Sequence, residues 1–311
     1  MAKILLFGEP MALFTATEYG SLDEVKKFER SLAGAEINVG IGLVRLGHKV
    51  TYLTRLGEDP LGHGISQKLI EENIDTSMIS YDPIYKTGMM MKNIVEKGDP
   101  EIAYYRKGSA FSQMNPSIID TLNLDQYDLL HVTGIPCALS ENCREATMRL
   151  VKKAKSSGLK ISFDPNLRPL LWTSEKVMIE TIHEIAAYAD MILPGISEAK
   201  TLMGSDDPNR IADYYHQMGI KKVIIKLGSD GAFIKSDQEC FIQPGYKVEK
   251  VVDTVGAGDG FAVGMISAVL EGLSLKEASD RANAIGAIQV SVMGDNEGLP
   301  TIDQLNAFMN K

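Results

Sequence analysis

Short apolar runs alternate with amphipathic stretches along most of this chain, and that alternation constrains its fold most strongly. Six runs are predicted to be strands, at residues 3–8, 50–56, 128–133, 160–164, 191–194 and 222–227. Several, such as DLLHV, MILP and VIIKL, are apolar on both faces, which is typical of parallel strands covered by helices on both sides. Helices are predicted at residues 35–46, 61–72, 141–156 and 176–188. The pattern indicates an α/β fold with a doubly wound, mostly parallel sheet flanked by helices.

Two segments break this rhythm, because residues near 11–30 and 86–106 are predicted to be strand pairs without an intervening helix. The second pair would turn at EKGDP, residues 96–100. Strands inserted into a parallel α/β fold often protrude from one edge and form a lid over a ligand site, although an ordinary antiparallel edge extension fits equally well. Since no repeat or Pro/Ser-rich linker divides residues 1–311, we expect one domain with a small β-strand lid.

Net charge, cysteine content and the distribution of apolar residues restrict the partners and the location of the protein. The formal net charge of -9 argues against non-specific nucleic-acid binding, which needs a basic surface. The three cysteines, Cys137, Cys143 and Cys240, lack metal-ligand spacing, and their odd number favours a reducing compartment. The first residues lack the apolar region of a signal peptide, and no run approaches the ~20 apolar residues of a membrane span. We therefore expect a cytoplasmic protein.

The most informative motif is DTVGAGD at residues 253–259, which is followed by apolar residues at helical spacing. A helix is therefore predicted to begin near Gly258. Gly256 and Gly258 let the backbone approach a ligand without Cβ clashes, and the free amides of a helix's first turn favour an anion. Asp259 adds a carboxylate beside this anion site.

That carboxylate suits a reaction in which a hydroxyl loses its proton while it attacks a γ-phosphoryl group. Asp259 would be the general base, and the amides of Gly256, Ala257 and Gly258 would stabilise the charge on the transferred group. The alternative is that Asp259 only caps the helix and interacts with its dipole.

DTVGAGDGF resembles the signature of the PfkB, or ribokinase-like, family of carbohydrate kinases. AGAEIN at residues 33–38 resembles the family's Gly-Gly-x-x-x-Asn element, with Ala33 in place of the first glycine. RLG at residues 45–47 and RLGEDPLG at residues 55–62 also match. KLGSDG at residues 226–231 resembles the strand and turn beside the nucleotide, and ANAIG at residues 282–286 resembles the helix beside the adenine. The chain has neither a Walker A pattern nor a dinucleotide fingerprint after its first strand.

The resemblance implies a ribokinase-like fold, ATP with Mg²⁺ as cofactors, and a nucleotide site formed by Lys226, Gly228, Gly231 and Asn283. The family commonly has Asn-x-x-Glu after the fifth strand, whereas this chain has PGISE at residues 194–198, with Gly195 at the usual Asn position. Glu198 would then act on the metal through bound water. Alternatively, Glu198 is a helix-start glutamate that follows the cap residue Ser197.

Two segments narrow the substrate. Tyr104 and Arg106 are two apart, hence on one face of a strand, and Arg168 follows a buried strand at its carboxyl end, where open α/β sheets bind ligands. Two arginines suit a carboxylated substrate, because a guanidinium matches a carboxylate in a bidentate way. Both segments resemble those of 2-keto-3-deoxygluconate kinases, which phosphorylate a terminal hydroxyl. That resemblance implies the following substrate contacts: Gly34, Asn38, Tyr104, Arg106, Arg168 and Asp295. The family's usual lid aromatic is replaced by Met90.

Alternatives remain open at this point. Arg106 could be a surface cation of the lid, and Arg168 could form an ion pair with Asp164. A fructokinase would share the fold and bind a neutral sugar. A non-catalytic sugar-binding protein would not need Asp259, and a nicotinamide-dependent dehydrogenase would need the missing fingerprint. The partner expected is a small sugar or sugar acid, and the lid strands could also pair across a two-fold axis in a homodimer.

Overall fold

The structure, a computed structural model, describes residues 1–95 and 100–310. Its strands are, in chain order, β1 (Lys3–Phe7), β2 (Met11–Tyr19), β3 (Phe28–Ala33), β4 (Lys49–Gly57), β5 (Ile79–Asp82), β6 (Met89–Ile94), β7 (Ile102–Tyr105), β8 (Leu129–Thr133), β9 (Lys160–Asp164), β10 (Met191–Ile192), β11 (Lys222–Lys226), β12 (Ala232–Ser236) and β13 (Cys240–Gln243). Its α-helices are α1 (Ala35–Arg45), α2 (Pro60–Glu71), α3 (Ile135–Leu139), α4 (Glu141–Ser156), α5 (Glu175–Ala186), α6 (Ile196–Met203), α7 (Pro208–Gln217), α8 (Ala257–Leu270), α9 (Leu275–Gln289) and α10 (Ile302–Met309).

Among the described residues, nine strands form the large sheet, in the order β13-β12-β11-β10-β9-β8-β1-β4-β5. All neighbours from β11 to β5 are parallel, and only β12 and β13 add antiparallel pairs at one edge. This confirms the predicted mostly parallel sheet. The predicted strand at residues 191–194 shortens to Met191–Ile192, whereas the helix predicted at residues 141–156 has the same bounds in the structure.

Helices cover both faces of the large sheet. Within β1, Leu5 and Phe7 pack into one core cluster, and Ile4 and Leu6 pack into another, because successive strand residues point to opposite faces. Helices α4, α5 and α7 contribute to the first cluster, and α1, α8 and α9 contribute to the second. The sheet is therefore doubly wound, as predicted.

The two segments that break the βαβ rhythm form a second sheet, here called the small sheet, in the order β3-β2-β6-β7. Within it β2 pairs antiparallel with β3 and parallel with β6, and β6 pairs antiparallel with β7. Met11, Leu13, Ala33 and Met90 form its buried apolar cluster. The turn predicted at residues 96–100 lies almost wholly outside the described residues, since 96–99 are not among them.

Position 256, in the glycine turn before α8, requires glycine because another backbone segment lies very close to it. Gly256 has a left-handed φ of 76°, and a Cβ there would lie 2.2 Å from the carbonyl oxygen of Asp295. Only glycine fits this position, and the helix starts directly after it, at Ala257. The predicted helix start near Gly258 is thus correct to within one residue.

All three cysteines are free: Cys137 and Cys143 are buried, and Cys240 is exposed. Among residues 1–95 and 100–310, no helix is both long enough and apolar enough to cross a bilayer.

Candidate active site

A cavity of about 530 Å³, here called the inner cavity, lies at the carboxyl ends of the parallel strands and extends to the small sheet. Met90 and Tyr104 line it from the small sheet, and Asp164 and Arg168 line it from the end of β9 and the loop that follows. This cavity brings together most of the residues that the sequence singled out, namely Gly34, Asn38, Tyr104, Arg106, Arg168, Glu198, Lys226, Gly256, Gly258, Asp259 and Asp295.

A neighbouring cavity of about 680 Å³, here called the outer cavity, contains the remaining predicted residues. Gly228 and Gly231 line it from the turn between β11 and β12, Asn283 lines it from α9, and Ala257 lines it from the start of α8. Lys226, Thr254 and Gly258 border both cavities. The start of α8 therefore lies where the cavities meet, so a group could pass from one to the other beside the amides of its first turn.

Asp259 is the third residue of α8 and is buried. Its Oδ2 accepts a hydrogen bond from Nδ2 of Asn38 at 2.8 Å, and Oδ1 of Asn38 accepts one from Nδ2 of Asn296 at 3.1 Å. Burial raises the pKa of Asp259 to about 6, with the charge of Asp164 adding to the rise and the Asn38 hydrogen bond opposing it. The carboxylate is mostly ionised at neutral pH yet far more basic than an exposed aspartate. Asn38, predicted to contact substrate, orients this carboxylate.

Lys226 and Asp164 form an ion pair at the junction of the cavities, with Nζ of Lys226 2.6 Å from Oδ2 of Asp164. Each is the last residue of its strand, so the parallel sheet sets their spacing. Asp164 therefore pairs with Lys226 and not with Arg168, and the suggested Arg168–Asp164 pair is wrong. Arg168 is exposed and adopts a left-handed φ of 45°, which is unusual for a residue with a side chain.

Arg106 is buried, so its interpretation as a surface cation is wrong. Its Nε and Nη2 lie 2.7 and 2.6 Å from Oε2 of Glu9, and the other carboxylate oxygen, Oε1, accepts a hydrogen bond from the hydroxyl of Ser109. Glu9 therefore compensates the charge of Arg106 and fixes its plane. A guanidinium has five N–H groups, so this pairing leaves donors for a ligand in the cavity. Tyr104, on the same side, is half-exposed.

Glu198 has both carboxylate oxygens on backbone amides. Its Oε2 accepts from the N–H of Gly195 at 2.7 Å, and its Oε1 accepts from the N–H of Leu167 at 3.0 Å. Helix α6 starts at Ile196 with Gly195 as its N-cap, so the suggestion that Ser197 is the cap is wrong. Glu198 still lines the inner cavity, and its carboxylate suits Mg²⁺, which keeps several waters and takes one or two carboxylates plus phosphate oxygens. Within the described residues, no group of three His, Cys, Asp or Glu side chains could hold a metal ion alone.

Asp295 and Asn283 have different surroundings. Asp295 is buried, burial raises its pKa to about 7, and its Oδ1 has no hydrogen-bond partner within the described part of the chain. Asn283 directs its Nδ2 to the carbonyl oxygens of Gln243 and Pro244, so it fixes one wall of the outer cavity.

Two buried carboxyl groups of the inner cavity were missed by the sequence reasoning, Glu9 and Glu36. Burial raises the pKa of Glu36 to about 7, although the hydroxyl of Thr133 donates to it at 2.5 Å. Glu9 follows the first strand by two residues. The rule that ligands gather at the carboxyl ends of parallel strands, which singled out Arg168, would also have found Glu9.

Comparison with known proteins gives a consistent picture. The model of the pfkB family carbohydrate kinases matches residues 1–302. The 2-dehydro-3-deoxygluconokinase of Bacillus subtilis is 46% identical over 98% of this chain and 94% of its own length. That of Thermoproteus tenax is 32% identical over 97% of this chain and 92% of its own length. A probable chloroplastic fructokinase-6 of Arabidopsis thaliana is 30% identical over 99% of this chain and 82% of its own length.

Solved structures agree with the fold. A PfkB protein from Polaromonas sp. JS666 superposes with a TM-score of 0.91 at 40% identity, covering 99% of this chain and 100% of that one. A putative ribokinase II from E. coli, solved in complex with ATP and Mg²⁺, superposes with a TM-score of 0.90 at 26% identity, covering 100% and 99%.

Proposed function

The chain belongs to the pfkB family of carbohydrate kinases, and from that premise we propose that it transfers the γ-phosphoryl group of ATP to the terminal hydroxyl of 2-keto-3-deoxygluconate. This sugar acid is the 2-dehydro-3-deoxygluconate of the relatives' names. The observation that carries the proposal is the placement of Asp259. Its buried, basic carboxylate stands at the first turn of α8, in a cavity that two arginines also line.

In the proposed reaction Asp259 is the general base. Asn38 holds its carboxylate, and the substrate hydroxyl gives up its proton to Asp259 as the oxygen attacks phosphorus. The amides of Gly256, Ala257 and Gly258 stabilise the negative charge on the transferred group, because none has a partner within the helix and that of Ala257 donates only a long hydrogen bond, of 3.4 Å, to the carbonyl oxygen of Thr254. Lys226, at the junction of the cavities, would contact the same group.

The nucleotide is proposed to occupy the outer cavity, beside Gly228, Gly231 and Asn283. Mg²⁺ would neutralise the phosphate oxygens, and Glu198 would contact it through water. Because both oxygens of Glu198 already accept amide hydrogens, this contact would use their remaining lone pairs.

The acid group of the substrate is proposed to lie between Arg106 and Arg168, with Gly34, Tyr104 and Asp295 contacting the rest of the sugar. A carboxylate held there leaves the opposite, terminal hydroxyl to face Asp259. Fructokinase activity is the second candidate. It is favoured by one observation, the pairing of Arg106 with Glu9, which already compensates one of the two positive charges.

An ADP-release assay with 2-keto-3-deoxygluconate, fructose and ribose in parallel tests this choice. We expect Arg106→Leu to lower kcat/KM for the sugar acid about ten- to a hundred-fold more than for fructose, since charge-assisted hydrogen bonds contribute roughly 1.5–3 kcal/mol. Arg106→Lys should restore only part of the lost kcat/KM, because an ammonium group cannot bind a carboxylate in the bidentate way that a planar guanidinium does.

The matched control is Arg30→Leu, which removes an exposed arginine of β3 outside the inner cavity. Fructose as the better wild-type substrate, or an equal loss for acid and neutral sugars, would assign the protein to the fructokinases instead.

A cytoplasmic location and a homodimer are also part of the proposal. In the part of the chain that the structure describes, β3 and β7 are the edge strands of the small sheet, so one side of each lacks a neighbouring strand, and Tyr105 of β7 is exposed. Light scattering of the purified protein, with Tyr105→Glu as the disrupting variant, measures the oligomeric state. A monomer at all concentrations would contradict the dimer.

A further inference from the structure

A buried ion pair joins the small sheet to the glycine turn. Nζ of Lys92, in β6, lies 2.7 Å from Oδ2 of Asp253, the first residue of the DTVGAGD motif. The exposed fractions of the two side chains are 8% and 10%. A pair so well shielded from solvent is screened little by salt, and loss of one partner leaves the other charge buried and uncompensated.

Asp253 accepts hydrogen bonds from the two backbone segments that meet at Gly256. Its Oδ1 accepts from the N–H of Val255 at 3.1 Å, and its Oδ2 accepts from the N–H of Gly294 at 3.4 Å. The loop that contains Gly294 continues into Asp295, whose carbonyl oxygen packs against Gly256. The Asp253 carboxylate thus ties together the turn before α8 and the loop that lies against it.

The surroundings of Lys92 are acidic. A cavity of about 360 Å³, here called the side cavity, is lined by Lys92 together with four acidic residues, Glu29, Asp253, Asp295 and Glu297. Among its lining residues in the described part of the chain, Lys92 is the only basic one. Without the ammonium group the negative charge of Asp253 would be buried without a counter-ion, and it would attract a small cation from solution.

We infer that Lys92 is a positioning residue for phosphoryl transfer: its ammonium group acts as a built-in cation that holds Asp253, and with it the glycine turn, in the orientation that Asp259 requires. The inference rests on the proposed kinase function and adds a link between the small sheet and the amides of the turn. It implies that the wild-type enzyme needs no particular monovalent cation, whereas an enzyme without Lys92 does.

The test compares wild type with Lys92→Met in potassium, ammonium and tetramethylammonium chloride at equal ionic strength. Tetramethylammonium is too large to replace the buried ammonium group. We expect the same wild-type kcat in all three salts. In tetramethylammonium, Lys92→Met should lose at least ~10-fold in kcat, because small displacements of reacting groups cost that much or more. Ammonium or potassium should restore most of the loss. Lys27→Met, which removes an exposed lysine next to β3, should behave as wild type.

Loss of one partner can also prevent folding, so Lys92→Met/Asp253→Asn is the second variant. Replacing both buried charges is often neutral for stability. We expect this variant to fold and to lose kcat with little change in the KM for the sugar. No cation should rescue it, because the carboxylate that would hold one is gone. A wild-type kcat in this variant, or in Lys92→Met in tetramethylammonium, would overturn the inference.

A readout independent of turnover separates this inference from the proposed function. Ammonium should raise the thermal unfolding midpoint of Lys92→Met relative to tetramethylammonium, while that of wild type should not change. If wild type phosphorylates none of the three sugars but this shift is found, the substrate proposal fails and the built-in cation stands. If no shift is found, the built-in cation is rejected, whatever the substrate.

Discussion

Asp259→Asn should abolish phosphoryl transfer and at the same time stabilise the fold. The amide can still accept the hydrogen bond from Asn38, but it cannot take a proton, and loss of a general base typically costs ~10²–10⁴ in rate. Burial raises the pKa of Asp259 from 3.8 to about 6. About two pKa units at ~1.36 kcal/mol each give a ceiling of about 3 kcal/mol by which the buried charge destabilises the folded state at neutral pH.

The difference in stability between wild type and Asp259→Asn should depend on pH. Below about pH 4 the carboxyl is protonated in both the folded and the unfolded protein, so wild type and Asp259→Asn should be equally stable. Between pH 4 and 6 the unfolded state ionises first, which lowers the stability of wild type alone. Above about pH 6–7 the difference should be complete, with the variant more stable.

Two measurements check this prediction: kcat from ADP release, and the free energy of unfolding from urea titrations at pH 4 and pH 7.5. Asp303→Asn is the matched control, because Asp303 is an exposed aspartate in the first turn of another helix, α10. A kcat above one tenth of wild type in folded Asp259→Asn would reject the base. A variant less stable than wild type at pH 7.5 would show instead that the carboxylate stabilises the helix start more than its burial destabilises it.

Three further predictions concern the metal, the pH profile and the backbone. Glu198→Gln should raise the Mg²⁺ concentration needed for half-maximal rate, and a titration that overlays wild type would remove Glu198 from the metal's surroundings. The kcat/KM of wild type should fall below about pH 6, where Asp259 becomes protonated, and a profile that stays flat to pH 5 would contradict its role as base. Gly34→Ala should lower the free energy of unfolding by roughly 1–3 kcal/mol, because its φ is 144° and a Cβ would lie 2.9 Å from the carbonyl oxygen of Glu9. Gly158→Ala, at a φ of 74° with no atom within 4 Å of the added Cβ, should cost less, and an equal cost would assign the effect to φ alone.

The parts of the fold that the sequence predicted are those with a local signal. The apolar run at residues 160–164 and the amphipathic helix Glu141–Ser156 are predicted from the spacing of their own apolar residues, and both have the predicted bounds in the structure. The motif at residues 253–259 predicted the start of α8, because a backbone position that packs against a carbonyl oxygen requires glycine, and a glycine can be recognised in the sequence.

The partners of the site residues could not be predicted in the same way. Asn38 and Asp259 are 221 residues apart, and Arg106 and Glu9 are 97 apart. No local pattern records such a pairing. The sequence therefore identified Arg106 as a residue of the site but missed Glu9, which neutralises it, and left its burial open. The same limit applies to Lys92, whose partner Asp253 lies 161 residues further along the chain.

The balance of charge in the inner cavity explains why the nucleotide would need to arrive with a metal ion. Within residues 1–95 and 100–310, six acidic residues line the cavity and three basic residues do. The acidic residues are Glu9, Glu36, Asp164, Glu198, Asp259 and Asp295, and the basic residues are Arg106, Arg168 and Lys226. Arg106 and Lys226 are already paired with carboxylates, and burial raises the pKa values of Glu36, Asp259 and Asp295, so the free site tends to hold protons. A bare triphosphate would add negative charge next to Asp259 and favour its protonation, which would disable the base. A divalent cation on the phosphates has the opposite effect, because it lowers the pKa of nearby carboxyl groups. The requirement for Mg²⁺ that we propose therefore follows from the same buried carboxylate that the reaction uses as its base.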